Sequence, residues 1–205
     1  MIYDRFTRLL HLLLATGIVA ELLLSLVMVH PKPGRLGDTF YALHATWGQV
    51  LLGLLVVHWI WCIVRSGNLS VGLLFPWFSW NRCQAIYADI KRYMAHAIQF
   101  RLPDNTQASP LASAVQGLGL FVATLLGVSG IALLFGMEAD GEMVGWVHAV
   151  KEGHEVLGLL LWGYLMVHAT MAVLHQWAGH GSMGAMVRVW EKMAQPNNIT
   201  VRGRE

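Results

Sequence analysis

The sequence predicts an all-α integral membrane protein: a four-helix bundle with short interfacial helices beside it. Three observations point to the membrane and to the histidines as its chemistry. The 205-residue chain is 56% hydrophobic and 13% charged, with a mean hydropathy of +0.51, which is about half the charge of a soluble domain. Four stretches reach the ~20 apolar residues that a helix needs to cross the hydrocarbon core. Ten histidines and nine tryptophans are high counts for so apolar a chain. The same composition excludes a disordered chain, and two cysteines exclude a disulfide scaffold. A net charge of +2 gives no support to a nucleic-acid-binding surface.

The first span runs from about Leu9 to Val29 and is closed by Pro31, Pro33 and Gly34. Arg5 and Arg8 before an apolar run also suit a secretory signal. The run is longer than the 7–15 residues of a signal core, however, and no small-x-small cleavage site follows, so a retained span is expected. The second span covers about Phe40 to Val64. Between Asn81 and Arg101, Ile86, Ile90, Tyr93, Met94 and Ala97 recur at helical spacing among Arg82, Lys91 and Arg92. Pro103 and Pro110 precede the third span, about Leu111 to Phe135, and the fourth covers about His154 to Trp177. In the tail, Met183, Met186, Val187, Trp190 and Ala194 form a stripe opposite Arg188 and Lys192. Basic amphipathic segments of this kind beside spans are expected to lie on the anionic inner leaflet. Residues 1–205 read as one domain.

Loop charges set the expected orientation. Eleven of the fourteen Lys and Arg residues fall in the N-terminal segment, the second-to-third loop and the tail, leaving Lys32, Arg35 and Lys151 for the other side. The positive-inside rule then puts both termini in the cytoplasm. Glu138, Asp140, Glu142 and Glu152 gather on the opposite side. Trp59, Trp61, Trp77, Trp80, Trp162 and Trp177 fall mostly near span ends, as an aromatic belt requires.

An internal repeat carries the chemistry. The second span reads HATWGQVLLGLLVVH from His44 to His58, and the fourth reads HEVLGLLLWGYLMVH from His154 to His168. Both are H-x3-G-x4-G-x4-H. Fourteen residues at 100° each return to within about 40° of the starting direction and rise about 21 Å. Each helix therefore shows two histidines on nearly one face, one towards each end of the hydrocarbon. The two spans run in the same direction, so His44 is level with His154 and His58 with His168. Gly48 and Gly158 follow the first histidine by one turn on the same face and, lacking a Cβ, leave room for a flat group.

Imidazoles in a bundle interior mark function, and neutral imidazole binds iron, copper or zinc. Zinc favours a compact tetrahedral cluster, which histidines spread over ~21 Å do not make. Neither Cys62 nor Cys83 belongs to a ligand pair, and no C-x-x-C-H signals covalent haem. Two layers of facing histidines fit two non-covalent haems with bis-imidazole iron.

These residues resemble the bacterial cytochrome b561 superfamily, which includes the b-type cytochrome subunits of nickel–iron hydrogenases and the gamma subunits of formate dehydrogenases. The likeness covers about Arg5 to Trp190. It is carried by R-x-x-H at Arg8 and His11, by H-x-x-x-G at His44 and Gly48, and by W-x-x-V-R-S-G at Trp61 to Gly67. The small-residue segment Gly127 to Gly130, H-E at His154 and Glu155, His168, and HQWAGHGSMGAM at His175 to Met186 complete it.

The resemblance implies four helices around two b-type haems, the inner one held by His11 and His168 and the outer by His44 and His154. Two departures stand out. Leu12 replaces the usual Trp after the first histidine, and His58 stands where the family has Arg. The repeat alone would pair His58, not His11, with His168. Iron already bound from the fourth span takes one more ligand, so the two are alternatives, and the other would meet a haem propionate or line a quinone site. His11 starts within a turn of the expected span and reaches the depth of His168 only if the first helix extends past Arg8, which can snorkel.

Glu21, near the middle of the first span, is expected to be protonated, paired or beside a hydrated cavity. It suits a proton relay or a hydrogen bond to a neighbouring helix. Arg8 and Arg65 at the membrane edge suit haem propionates or interfacial anchoring. His175 and His180 are expected at the inner surface. The implied function is electron transport across the bilayer between the quinone pool and a redox partner protein. No G-x-G-x-x-G after a strand and no soluble domain is present, so any catalytic subunit would be another polypeptide. The alternatives are a stand-alone quinone-linked or superoxide-oxidising cytochrome, and a haem-free, His-lined transporter. Expected partners are membrane lipid, quinone and the redox partner, with a homo-oligomer left open.

Overall fold

The computed structural model describes residues 4–64, 74–99, 102–103, 109–137, 143 and 145–179. Its elements are α1 (Arg5–Val27), α2 (Thr39–Val64), a 3-10 turn (Pro76–Phe78), α3 (Trp80–Ile98), α4 (Pro110–Gly136) and α5 (Gly145–Trp177). Helices α1, α2, α4 and α5, of 23, 26, 27 and 33 residues, are long and apolar enough to cross a membrane. Among the described residues the molecule is an all-helical membrane bundle with one further helix. The stripe expected between Met183 and Ala194 lies outside the described residues.

Two helix starts differ from the expected boundaries, each for a local reason. Helix α1 begins at Arg5 because Asp4 caps it: its carboxylate accepts from Thr7 N and from Thr7 Oγ1, both at 2.8 Å. The early start puts His11 nearly two turns inside the helix, supplying the extension towards the N-terminus that its depth requires. Helix α5 begins at Gly145, nine residues before the expected His154. His148, Lys151 and Glu152 lower the hydropathy of that turn without breaking the helix. Lys151 pairs with Glu155 one turn on at 2.5 Å, and Val147 is fully buried against Gly136 of α4. At 33 residues, or about 50 Å, α5 outruns a hydrocarbon core of about 30 Å.

The loop between α1 and α2 turns at Gly34, where φ is +75°, a conformation that favours glycine. Asp38 then accepts from Val29 N at 3.0 Å and from Tyr41 N at 2.9 Å, capping α2 and closing the loop at once. Helix α4 starts on Ser109, whose hydroxyl oxygen accepts from Ala112 N at 3.1 Å, with Pro110 as first helical residue. Buried Asp89 of α3 accepts from Ser109 Oγ at 2.6 Å and Leu111 N at 3.2 Å, and pairs with Arg92 at 2.9 Å. Asp89 thereby fastens α3 to the start of α4. The apolar stripe expected on α3 is split: Ile86 and Tyr93 are half-buried, whereas Ile90 and Met94 are exposed.

Close neighbours run from α1 to α2, from α2 to α4 and from α4 to α5, with α3 on α4; α1 and α2 stand further off from α5. Leu14, Leu51, Leu55 and Ala123 join α1, α2 and α4, and Leu22, Val122 and Leu161 join α1, α4 and α5. Trp59 Nε1 donates to Thr124 Oγ1 and Trp61 Nε1 to Thr7 Oγ1, each at 3.0 Å. These two indoles, near the end of α2, also tie helices together, because a half-buried N–H needs a partner. Exposed Leu23, Val57, Leu159 and Val167 form part of the apolar outer surface that lipid covers.

Candidate functional site

The helix arrangement brings four of the sequence-predicted histidines into two facing pairs. His11 of α1 faces His168 of α5 with ring centres 6.3 Å apart and planes at 53°. His44 of α2 faces His154 of α5, also at 6.3 Å, with planes at 87°. The two levels are about 21 Å apart along α5. Leu157, Leu161 and Leu165, on the stretch of α5 between them, belong to or pack against the apolar core.

The spacing suits a metal between the rings. A metal–nitrogen bond of about 2 Å, plus about 1.1 Å from that nitrogen to its ring centre, puts two axial imidazoles about 6 Å apart. Both pairs bridge α5 to a helix that stands off from it. Among the described residues no three His, Cys, Asp or Glu side chains gather into a cage for a metal ion. Two imidazoles per level are what an iron needs when a porphyrin supplies its other four nitrogens, so the residues fit haem.

His58, the other candidate at the lower level of α2, lies within electrostatic reach of His11. Its Nδ1 is buried without a hydrogen-bond partner among the described residues. Arg8, one turn before His11, is half-buried. The two repeat glycines differ. The space beside Gly158 is open, whereas a Cβ on Gly48 would lie 2.9 Å from Glu21 Oε1. The room made by Gly48 therefore receives a carboxyl group. That group reaches α2: Glu21 Oε1 is 3.1 Å from His44 Nδ1, at an angle that is not that of a hydrogen bond, and both side chains are mostly buried. The Glu21 carboxyl thus touches the neighbouring helix without the expected hydrogen bond.

Two neighbours of the histidines escaped the sequence analysis. Ser129 Oγ of α4 lies 2.8 Å from His154 Nδ1 and donates to Leu126 O at 3.0 Å. Tyr164 stacks on His168, with ring centres 5.5 Å apart and planes at 12°. Its position depends on Gly119 of α4, since any Cβ there would collide with the Tyr164 ring. A hydroxyl in an otherwise apolar span was the available signal for Ser129, and the i, i+4 spacing to His168 for Tyr164. His175, expected near the inner membrane surface, is buried at 7% exposure, with its ring centre 6.2 Å from that of Tyr93 on α3. Arg65, Arg101 and His180 lie outside the described residues.

No curated protein and no solved structure matches the chain. The family model of prokaryotic cytochrome b561 matches residues 2–188 of the 205. With its four apolar helices and facing histidines, the chain belongs to the prokaryotic cytochrome b561 family, haem-binding b-type cytochromes that carry electrons in bacterial membranes.

Proposed function

We propose that this cytochrome holds two b-type haems and carries electrons across the bilayer between the quinone pool and a redox partner protein. The observation that carries this reading is the equal 6.3 Å separation of the His11–His168 and His44–His154 rings. Each bound haem supplies a one-electron Fe(III)/Fe(II) couple. The four histidines present ring nitrogens in two layers, and the leucines between the layers keep water from the centre of the bundle. Arg8 is the cation for a propionate at the His11 level, and His58 offers a ring nitrogen to a polar group of the cofactor or of quinone. Gly158 leaves its face of α5 open to the porphyrin plane. The 11-to-3 split of Lys and Arg supports both termini in the cytoplasm, with His11–His168 as the inner pair and His44–His154 as the outer.

Purified protein tests the haem number. Dithionite should develop a b-type α-band, and the pyridine haemochrome should give about two haems per chain. A colourless protein, or a clean single-haem titration, would refute the reading.

A further inference from the structure

The two histidine pairs have different surroundings on the side of the ring away from the proposed iron. Ser129 has one hydroxyl proton, and Leu126 O receives it. With that proton directed to Leu126 O, Ser129 accepts from His154 Nδ1, 2.8 Å away. This places the proton of His154 on Nδ1 and leaves Nε2 with its lone pair. At the same level a carboxyl oxygen of Glu21 stands 3.1 Å from His44 Nδ1, kept there by the missing side chain of Gly48. That separation is within hydrogen-bond reach of a His44 Nδ1–H turned towards the oxygen. The other pair has no such acceptors: among the described residues neither His11 nor His168 makes a side-chain hydrogen bond, and the face of His168 is covered by the Tyr164 ring.

We propose that Glu21 and Ser129 are positioning residues for one haem only, holding His44 and His154 in the tautomer that offers Nε2 to iron and lowering the midpoint potential at that level below that at His11–His168. The inference rests on the two-haem reading. Its physical basis is that an acceptor on Nδ1–H orients the ring and raises the basicity of the ligating nitrogen. A more basic ligand favours Fe(III) over Fe(II). A carboxyl oxygen and a hydroxyl oxygen act together at one level, and neither acts at the other.

Potentiometric titration of the purified holoprotein, with the low-spin EPR signals followed alongside, tests it. Wild type should show two midpoints, and His44→Ala should abolish the lower. Glu21→Leu should raise the lower midpoint, shifting the Fe(II)/Fe(III) ratio of that haem at a fixed potential about tenfold, or about 59 mV. It should leave the upper midpoint in place and change one EPR signal only. Glu21→Gln, whose amide oxygen still accepts, should recover part of the shift. Ser129→Ala should act in the same direction and Ser129→Thr restore the wild-type value. If Glu21→Leu loses haem altogether, Ser129→Ala, which removes one oxygen, decides. If His44→Ala leaves both haems, His44 is not a ligand and the pairing on which this inference rests fails. If His44→Ala removes one haem while the Glu21 and Ser129 variants shift neither midpoint, or shift the other haem's, this inference is overturned and the two-haem reading stands.

Discussion

The rings of His11 and His168, on the first and last described helices, stand 6.3 Å apart across the bundle. Asp4 caps α1 and starts it at Arg5, so that His11 lies well inside the helix. Repeat symmetry alone would have given His58 to His168. We expect His11→Ala to lose the haem at this level. His58→Ala should keep both haems and change only the potential of this one or the quinone turnover. Haem content and midpoints of the two purified variants decide, and loss in His58→Ala with retention in His11→Ala would reassign the ligand.

A second expectation concerns packing beside that pair. Gly119 leaves the space into which the Tyr164 ring fits, and Tyr164 stacks on His168. Gly119→Ala should displace Tyr164, cost about 1–3 kcal/mol of stability by overpacking, and perturb the His168 haem while sparing the other. Tyr164→Leu added to Gly119→Ala should relieve much of the stability loss. Thermal melts and the two midpoints check both statements, and a Gly119→Ala protein with wild-type melting and potentials would contradict them.

The share of this arrangement that is legible in sequence can be followed residue by residue. Hydropathy located α2 and α4 to within one residue at each end, because these spans are apolar throughout. It missed the first turns of α5, where His148, Lys151 and Glu152 are polar but still helical. The spacing from His44 to His58 and from His154 to His168 was readable because helical periodicity converts sequence distance into level and face. Glu21 beside His44 and Ser129 beside His154 were not readable, since those contacts depend on which helices become neighbours. The space beside Gly48 read as room for a flat group, and only the fold shows a carboxyl group from α1 in it.

The loop between α1 and α2 should give the protein an acid-sensitive contact. The Tyr41 and Val29 amides that donate to Asp38 hold its carboxyl below the usual aspartate range, although the group is exposed. A depressed folded-state value means that the contribution is complete above the unfolded-state pKa and disappears as pH falls through the folded-state value. Wild type should therefore lose more stability than Asp38→Ala between about pH 5 and the acid end of the titration. Melting of both proteins in detergent over that range provides the comparison, and parallel acid limbs would show that the cap does not titrate as described.

Orientation is open to a separate experiment. With both termini in the cytoplasm, a reporter active only in the periplasm should be silent when fused after Glu205 and active when placed near Asp140. The opposite pattern would invert the bundle and exchange which haem is inner and which outer, without altering the pairing of histidines.

The most direct measurement is potentiometric titration of four single variants: His11→Ala, His168→Ala, His44→Ala and His154→Ala. Two haems, each held between the facing rings of one level, require that His44→Ala and His154→Ala remove the same redox step. His11→Ala and His168→Ala must then remove the other, with about one haem left in each variant. If the two members of either pair remove different steps, or if any of the four leaves both haems in place, the pairing at 6.3 Å does not describe the ligands of this cytochrome.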